Sequence, residues 1–291
     1  GVDEGHINIP APDAPSFLAV DKKTGKVLWS DKSPGRNIMH GQWSNPVYAE
    51  PNGKPQIIFP GGDGWIYAFE PATGKLIWKF DCNPKDAEWK GAGRGTRNYF
   101  VATPVVYDNK VYIGVGQDPD SGTGVGHLWC IDITKTGDVS PELVVDEKAK
   151  PVKTRPNPAS ALVWHYGGPI LPRPERGRDV VFGRTVSTVA VHDGLLWAAE
   201  LDGYLHCLDA RTGKKYWDHD LKASVWASPY WVDNKIYLGT DEGDMLIFAH
   251  GKEKKLLNTI EMGRPIKGTP AAVDGVLYLA TDSYLHAIAS K

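Results

Sequence analysis

The chain has 291 residues, of which 41% are hydrophobic and 23% charged, and its formal net charge is −2. These are ordinary values for a globular protein; no basic stripe speaks for nucleic acid as a partner, and no apolar run is long enough for a transmembrane segment. Thirty-two glycines, 22 prolines and 11 tryptophans instead point to many short strands joined by tight turns.

The chain opens on Gly1-Val2-Asp3 with neither Met nor a signal peptide, so its start does not report a compartment. Residues 1–31 read as the outer part of a repeating unit that ends in Ala19-Val20-Asp21-Lys22-Lys23-Thr24-Gly25-Lys26-Val27-Leu28-Trp29. Residues 32–80 form a whole unit, opened by Asn45-Pro46 and closed by Ala68-Phe69-Glu70-Pro71-Ala72-Thr73-Gly74-Lys75-Leu76-Ile77-Trp78. The next unit, 81–145, starts with a Trp/Gly/Arg-rich insertion at 81–100. It continues through Thr103-Pro104 and a turn at Asp108-Asn109 to a degenerate copy, Cys130-Ile131-Asp132 to Thr136-Gly137-Asp138.

A longer insertion, 146–184, is expected as a structureless loop at the head of the unit 146–222, which closes on Cys207-Leu208-Asp209-Ala210-Arg211-Thr212-Gly213-Lys214-Lys215-Tyr216-Trp217. Units 223–260 and 261–291 open on Ser228-Pro229 and Thr269-Pro270, turn at Asp233-Asn234 and Asp274-Gly275, and keep only the strand before the missing Thr-Gly-Lys. The last unit is partial. Tyr204, Asp244 and Tyr284 mark one column, each 40 positions from the next.

Four short strands in a period of about 40 residues describe a β-propeller blade. The fold expected is therefore all-β, a single propeller of four-stranded antiparallel blades over residues 1–291. In the closing block, the carboxylate (Asp21, Glu70, Asp209) accepts from the backbone of its own turn. The glycine (Gly25, Gly74, Gly213) supplies positive φ, and the tryptophan (Trp29, Trp78, Trp217) packs between blades.

The block Ala-x-Asp-x-x-Thr-Gly-Lys-x-x-Trp resembles the tryptophan-docking motif of the pyrroloquinoline quinone (PQQ) propeller repeat superfamily, with Glu70 for Asp and Cys207 for Ala as departures. The superfamily includes PQQ-dependent alcohol dehydrogenases and non-catalytic propellers such as the lipoprotein of the outer-membrane β-barrel assembly machinery. The resemblance implies eight blades when complete, with about five and a half in this chain and N-terminal blades missing. A closed six-bladed ring is the alternative. It also implies a periplasmic, secreted or cell-envelope location.

The residues ahead of each Ser/Thr-Pro start the innermost strands, where ligands meet a propeller. They are His40, Gln42 and Trp43; Arg94, Arg97 and Asn98; Arg184; Trp226; and Arg264 and Lys267. Converging cations suit anionic groups, and tryptophans suit flat rings or sugar faces. Asp118 and Asp120, in Asp-Pro-Asp-Ser-Gly, are weak candidates for a calcium loop that lacks its other carboxylates. Cys82, Cys130 and Cys207 are expected as free, buried side chains.

The sequence therefore favours a non-catalytic binding or scaffold propeller that engages a partner protein or a polysaccharide, and, as a further partner, the N-terminal part of the same ring. A PQQ-dependent dehydrogenase is the alternative. In that family the quinone stacks on a tryptophan and lies under adjacent cysteines, and Glu, Asn and Asp hold calcium. With no adjacent cysteines here, no cofactor is expected, and PQQ with calcium stays open.

Overall fold

The computed structural model describes residues 2–3, 6–7, 11–90, 95–172 and 177–289. Its strands gather into successive antiparallel sheets, each a blade. The first described blade pairs Phe17–Val20 with Val27–Asp31. The second runs Val47–Ala49, Gln56–Pro60, Trp65–Phe69 and Leu76–Asp81. The fourth comprises Ala190–His192, Leu195–Ala199, Tyr204–Asp209 and Lys215–Asp220, and the fifth Tyr230–Val232, Lys235–Gly239, Asp244–Ala249 and Leu256–Glu261. The last is three-stranded, Ala271–Val273, Val276–Ala280 and Leu285–Ala289. Helix among the described residues is limited to three short 3₁₀ turns.

The third blade departs from expectation. Its first three strands are Val105–Tyr107, Lys110–Val115 and His127–Asp132, but the chain then leaves the sheet. Gly137–Asp138 adds a parallel edge to the second blade beside Trp78 and Lys79, and Glu142–Asp146 pairs with Lys153–Pro156 as a separate hairpin. The fourth strand, Leu162–Pro169, comes only afterwards and is followed by Val180–Phe182. Residues 146–184 are thus not a structureless loop ahead of the fourth blade. They carry strands that complete the third.

The turn chemistry follows the sequence. Asp108-Asn109, Asp233-Asn234 and the Asp-Gly pairs at 193–194 and 274–275 all adopt positive φ, as tight hairpins with the right-handed twist of the strands require. In the closing block, Asp21 Oδ1 accepts from the Lys23 and Thr24 amides at 3.0 and 2.7 Å, and Asp209 Oδ1 does the same for Arg211 and Thr212 at 3.0 and 2.9 Å. Where Glu70 replaces Asp, its carboxylate takes the Thr73 hydroxyl at 2.6 Å. Strands three and four carry a bulge just before this turn in five of the blades, at residues 19/20, 68/69, 130/131, 207/208 and 247/248. A recurring bulge bends these five blades in the same sense.

The tryptophans link blades through these turns. A Cβ on Gly74 would lie 2.6 Å from the Trp29 ring, and one on Gly213 would lie 2.7 Å from Trp164. The two indoles donate to Pro71 O (2.7 Å) and Ala210 O (2.9 Å) of the same turns. Glycine is needed there twice over, for φ near +70° and for the ring above it.

The Ser/Thr-Pro columns make a second link. The Thr103 amide donates to Thr188 Oγ1, the Thr188 amide to Ser228 Oγ, and the Ser228 amide to Thr269 Oγ1, at 3.0–3.1 Å. One hydroxyl per blade therefore satisfies an inner-strand amide of its neighbour. The outer faces of the first and last sheets differ from the rest. Leu18, Val27 and Leu28 at one end, and Tyr284, Leu285 and Ile288 at the other, are exposed.

Candidate functional site

The residues expected at the inner strand starts divide by what they contact. Gln42 is internal bracing: its Nε2 donates to Ser16 O at 3.2 Å and its Oε1 accepts from the Gly62 amide at 2.7 Å. Asn98 is fully buried, with its amide on Asn83 Oδ1 (2.7 Å) and its Nδ2 on Val125 O (2.9 Å). Arg97 binds Asp81 Oδ1 and Asp63 O, each at 3.0 Å, and Lys85 holds the other Asp81 oxygen at 2.8 Å. Burial pushes the neighbouring Asp63 carboxyl up to about 6, against the lowering effect of its 2.6 Å bond from Tyr67 and of Arg97. Arg94 lies outside the described residues.

Arg184, expected to reach for a ligand, is 3% exposed. Its guanidinium donates to Gly95 O at 2.8 Å and to Ser121, Gly122 and Thr123 carbonyls at 3.1–3.4 Å. It thus clamps the 118–124 loop. Arg184→Met, which keeps the stem but removes the donors, is expected to lower stability by about 2–3 kcal/mol and to speed amide exchange across 118–124. Unchanged exchange would mean the loop holds itself. At the other end of the chain, Trp226 is partly exposed under the Lys267 ammonium, 4.7 Å from its ring, and Arg264 is exposed beside them in sequence.

His40 and Trp43 also face solvent together, and the structure adds partners that the sequence did not reveal. Trp89, Tyr99, His40 and Trp43 form a row with ring centroids 5.9, 5.7 and 5.8 Å apart. The Tyr99 hydroxyl donates to Asp118 Oδ2 and accepts from the Asp118 amide at 2.8 Å. His40 Nδ1 lies 3.1 Å from the same carboxylate and 3.3 Å from the Tyr99 oxygen. Burial and the Asp118 carboxylate push the Tyr99 phenol upward, so it stays protonated as a donor. A cleft of about 410 Å³ adjoins this row, lined by Arg36, Ile38, Met39, Trp65, Trp89 and Arg97.

Asp118 caps the short turn Pro119–Ser121 through the Ser121 amide (3.1 Å), and Asp120 is exposed. Among the described residues no group of three or more His, Cys, Asp or Glu converges in a way that could hold a metal ion. Cys82, Cys130 and Cys207 are free and buried. A further buried cluster went unseen in the sequence: Glu200 receives both Arg178 and His206, and His206 Nδ1 meets the Tyr166 hydroxyl at 3.2 Å. These contacts join the third and fourth blades, far apart in sequence.

Comparison with known proteins places this geometry. A family model described as outer membrane protein assembly factor BamB matches residues 1–149 and again 118–288. Among solved structures, BamB from Moraxella catarrhalis superposes with a TM-score of 0.61 at 15% identity, over 92% of this chain and 64% of that one. The polyvinylalcohol dehydrogenase of Sphingopyxis sp. (strain 113P3) is 25% identical over 245 residues, 76% of this chain and 32% of that protein. The dehydrogenase subunit of alcohol dehydrogenase (quinone) from Gluconacetobacter polyoxogenes is 25% identical over 269 residues, 81% of this chain and 34% of that protein. The chain thus spans about a third of each of these two curated relatives. The expectation that no cofactor is involved is corrected by these relatives, one of which is named for its quinone.

Proposed function

The chain belongs to the family of PQQ-like propellers that includes BamB, and from that premise we propose that it is a binding module of the bacterial cell envelope. It engages a partner protein or polysaccharide through the loops at its inner strand starts. The observation that supports this reading is the aromatic row from Trp89 to Trp43, open to solvent at Trp43, which is 56% exposed, and held by the inner strands behind it. Rigid blades presenting exposed aromatic side chains are what a recognition surface needs. The exposed apolar faces of the first and last sheets are covered by further blades of the same ring, since bare sheet faces and edges are sticky.

A second reading, quinone-dependent oxidation of an alcohol, is favoured by the names of the relatives. One assay separates the two. The protein is incubated with PQQ and calcium, and reduction of an electron-accepting dye is followed with primary and polymeric alcohols. The binding reading expects no alcohol-dependent reduction above that of PQQ alone. Saturable turnover would replace it with the dehydrogenase reading.

A further inference from the structure

The exposed end of the aromatic row has a construction that its neighbours lack. The Trp43 indole folds back over Gly41: a Cβ at position 41 would lie 2.8 Å from both Cε2 and Nε1 of the ring. The Gly41 backbone cannot retreat, because a Cβ on Gly62 would in turn lie 2.3 Å from Gly41 O. The ring is therefore seated flat on the chain while more than half of the residue remains exposed. An indole held this way offers a rigid apolar plane at little cost in side-chain entropy.

Beside this plane stand directional polar groups. His40, 5.8 Å from Trp43 and inclined by 38°, has Nδ1 committed to Asp118 and Tyr99. Its Nε2 is left for a hydroxyl. Asp118 is itself fixed by the Tyr99 hydroxyl and by the Ser121 amide. Two arginines near the group are engaged elsewhere, Arg97 by Asp81 and Arg184 by backbone carbonyls. The place is aromatic and hydrogen-bonding, and the Asp118 carboxylate beside His40 opposes an anion.

We propose that the Trp43 face and the His40–Asp118–Tyr99 group form a subsite for a pyranose ring of a neutral oligosaccharide. A pyranose presents a flat C–H face for the indole and equatorial hydroxyls at its rim for His40 Nε2. This deepens the binding-module reading and rests on it.

The test is titration of the whole chain with cellohexaose, maltohexaose and N-acetylchitohexaose, read by tryptophan fluorescence and calorimetry, with a proline-rich decapeptide as a fourth probe. At least one hexasaccharide is expected to bind at one site with a Kd between about 10 μM and 1 mM. Trp43→Ala is expected to weaken it at least tenfold, and Gly41→Ala, which displaces the ring without removing it, should weaken it too. His40→Phe, which keeps a ring but loses Nε2, is expected to weaken it about threefold to tenfold. Unchanged urea midpoints in these variants exclude unfolding as the cause. No saturable signal with any sugar up to about 10 mM, binding that ignores Trp43→Ala, or saturable binding of the peptide alone would each overturn the proposal. None of these outcomes depends on the dye-reduction assay, so the subsite and the binding-module reading fail separately.

Discussion

Replacing Trp78 by alanine is expected to destabilise the protein by about 3–5 kcal/mol from loss of the ring alone. Trp78 is fully buried in the core shared by the second and third blades, among Ile58, Phe80, Val111 and Ile113. Its Nε1 donates to Gln56 Oε1 at 2.6 Å, and Gln56 Nε2 donates to Ile133 O of the next blade at 3.0 Å. Gln56 is only 2% exposed. Removing the indole therefore leaves a buried amide oxygen without its donor, which adds about 1–3 kcal/mol.

Trp78→Phe separates the two effects. It keeps most of the ring and loses only the donor, so it is expected to cost about 1–3 kcal/mol. Urea denaturation followed by tryptophan fluorescence and far-UV circular dichroism measures both. A phenylalanine variant as weak as the alanine variant would place most of the energy in the Trp78–Gln56–Ile133 chain. A phenylalanine variant as stable as the parent would show that the amide finds water instead.

What was legible in the sequence is local. Asp21, Gly25 and Trp29 stand within nine positions, and their turn depends on nothing beyond those positions, so the block announces both the turn and the blade. Trp164 does for the third blade what Trp29 does for the first, seated on Gly213 as Trp29 is on Gly74. The sequence assigns it to a loop because the excursion through Gly137–Asp138 and the hairpin at 142–156 separates it from Asp132. The Ser/Thr-Pro column was visible as a repeat, but its inter-blade hydroxyl–amide bonds were not, since each partner lies about one blade or more away. Arg184 illustrates the opposite failure. Its place ahead of an inner strand suggests a charge aimed at a ligand, whereas nearby loop carbonyls use it. Asp118 stands out in the sequence only as a weak calcium candidate, and its contact with Tyr99 is not legible there because the bridge between Tyr99 and Gly116 brings the two side chains together.

Stability is expected to fall on mild acidification because of a histidine pair in the third blade. His127 Nδ1 and His165 Nε2 lie 2.9 Å apart, and the His165 ring stacks on Trp129 with centroids 4.1 Å apart. One proton bridges the two rings, and a second would place two cations in contact. Burial, reinforced by His165, lowers His127 from 6.5 to about 3, and burial lowers His165 to about 4. Both folded values are depressed, so the unfolded chain binds protons that the folded one refuses. The stabilisation is complete above about pH 6.5 and is lost as pH falls toward 4 and then 3.

His127 is only 4% exposed, and two pH units below its unfolded value its share of the loss is about 2–3 kcal/mol. His165 keeps an exposed edge, and solvent screening makes its share smaller. Urea midpoints between pH 7.5 and 4.5 measure the slope. His127→Gln, which retains one hydrogen bond to His165 without a titrating ring, should flatten it over that range even if the variant is less stable at pH 7.5. An acid limb equally steep in the variant would assign the loss to carboxylates elsewhere and remove the pair from the account.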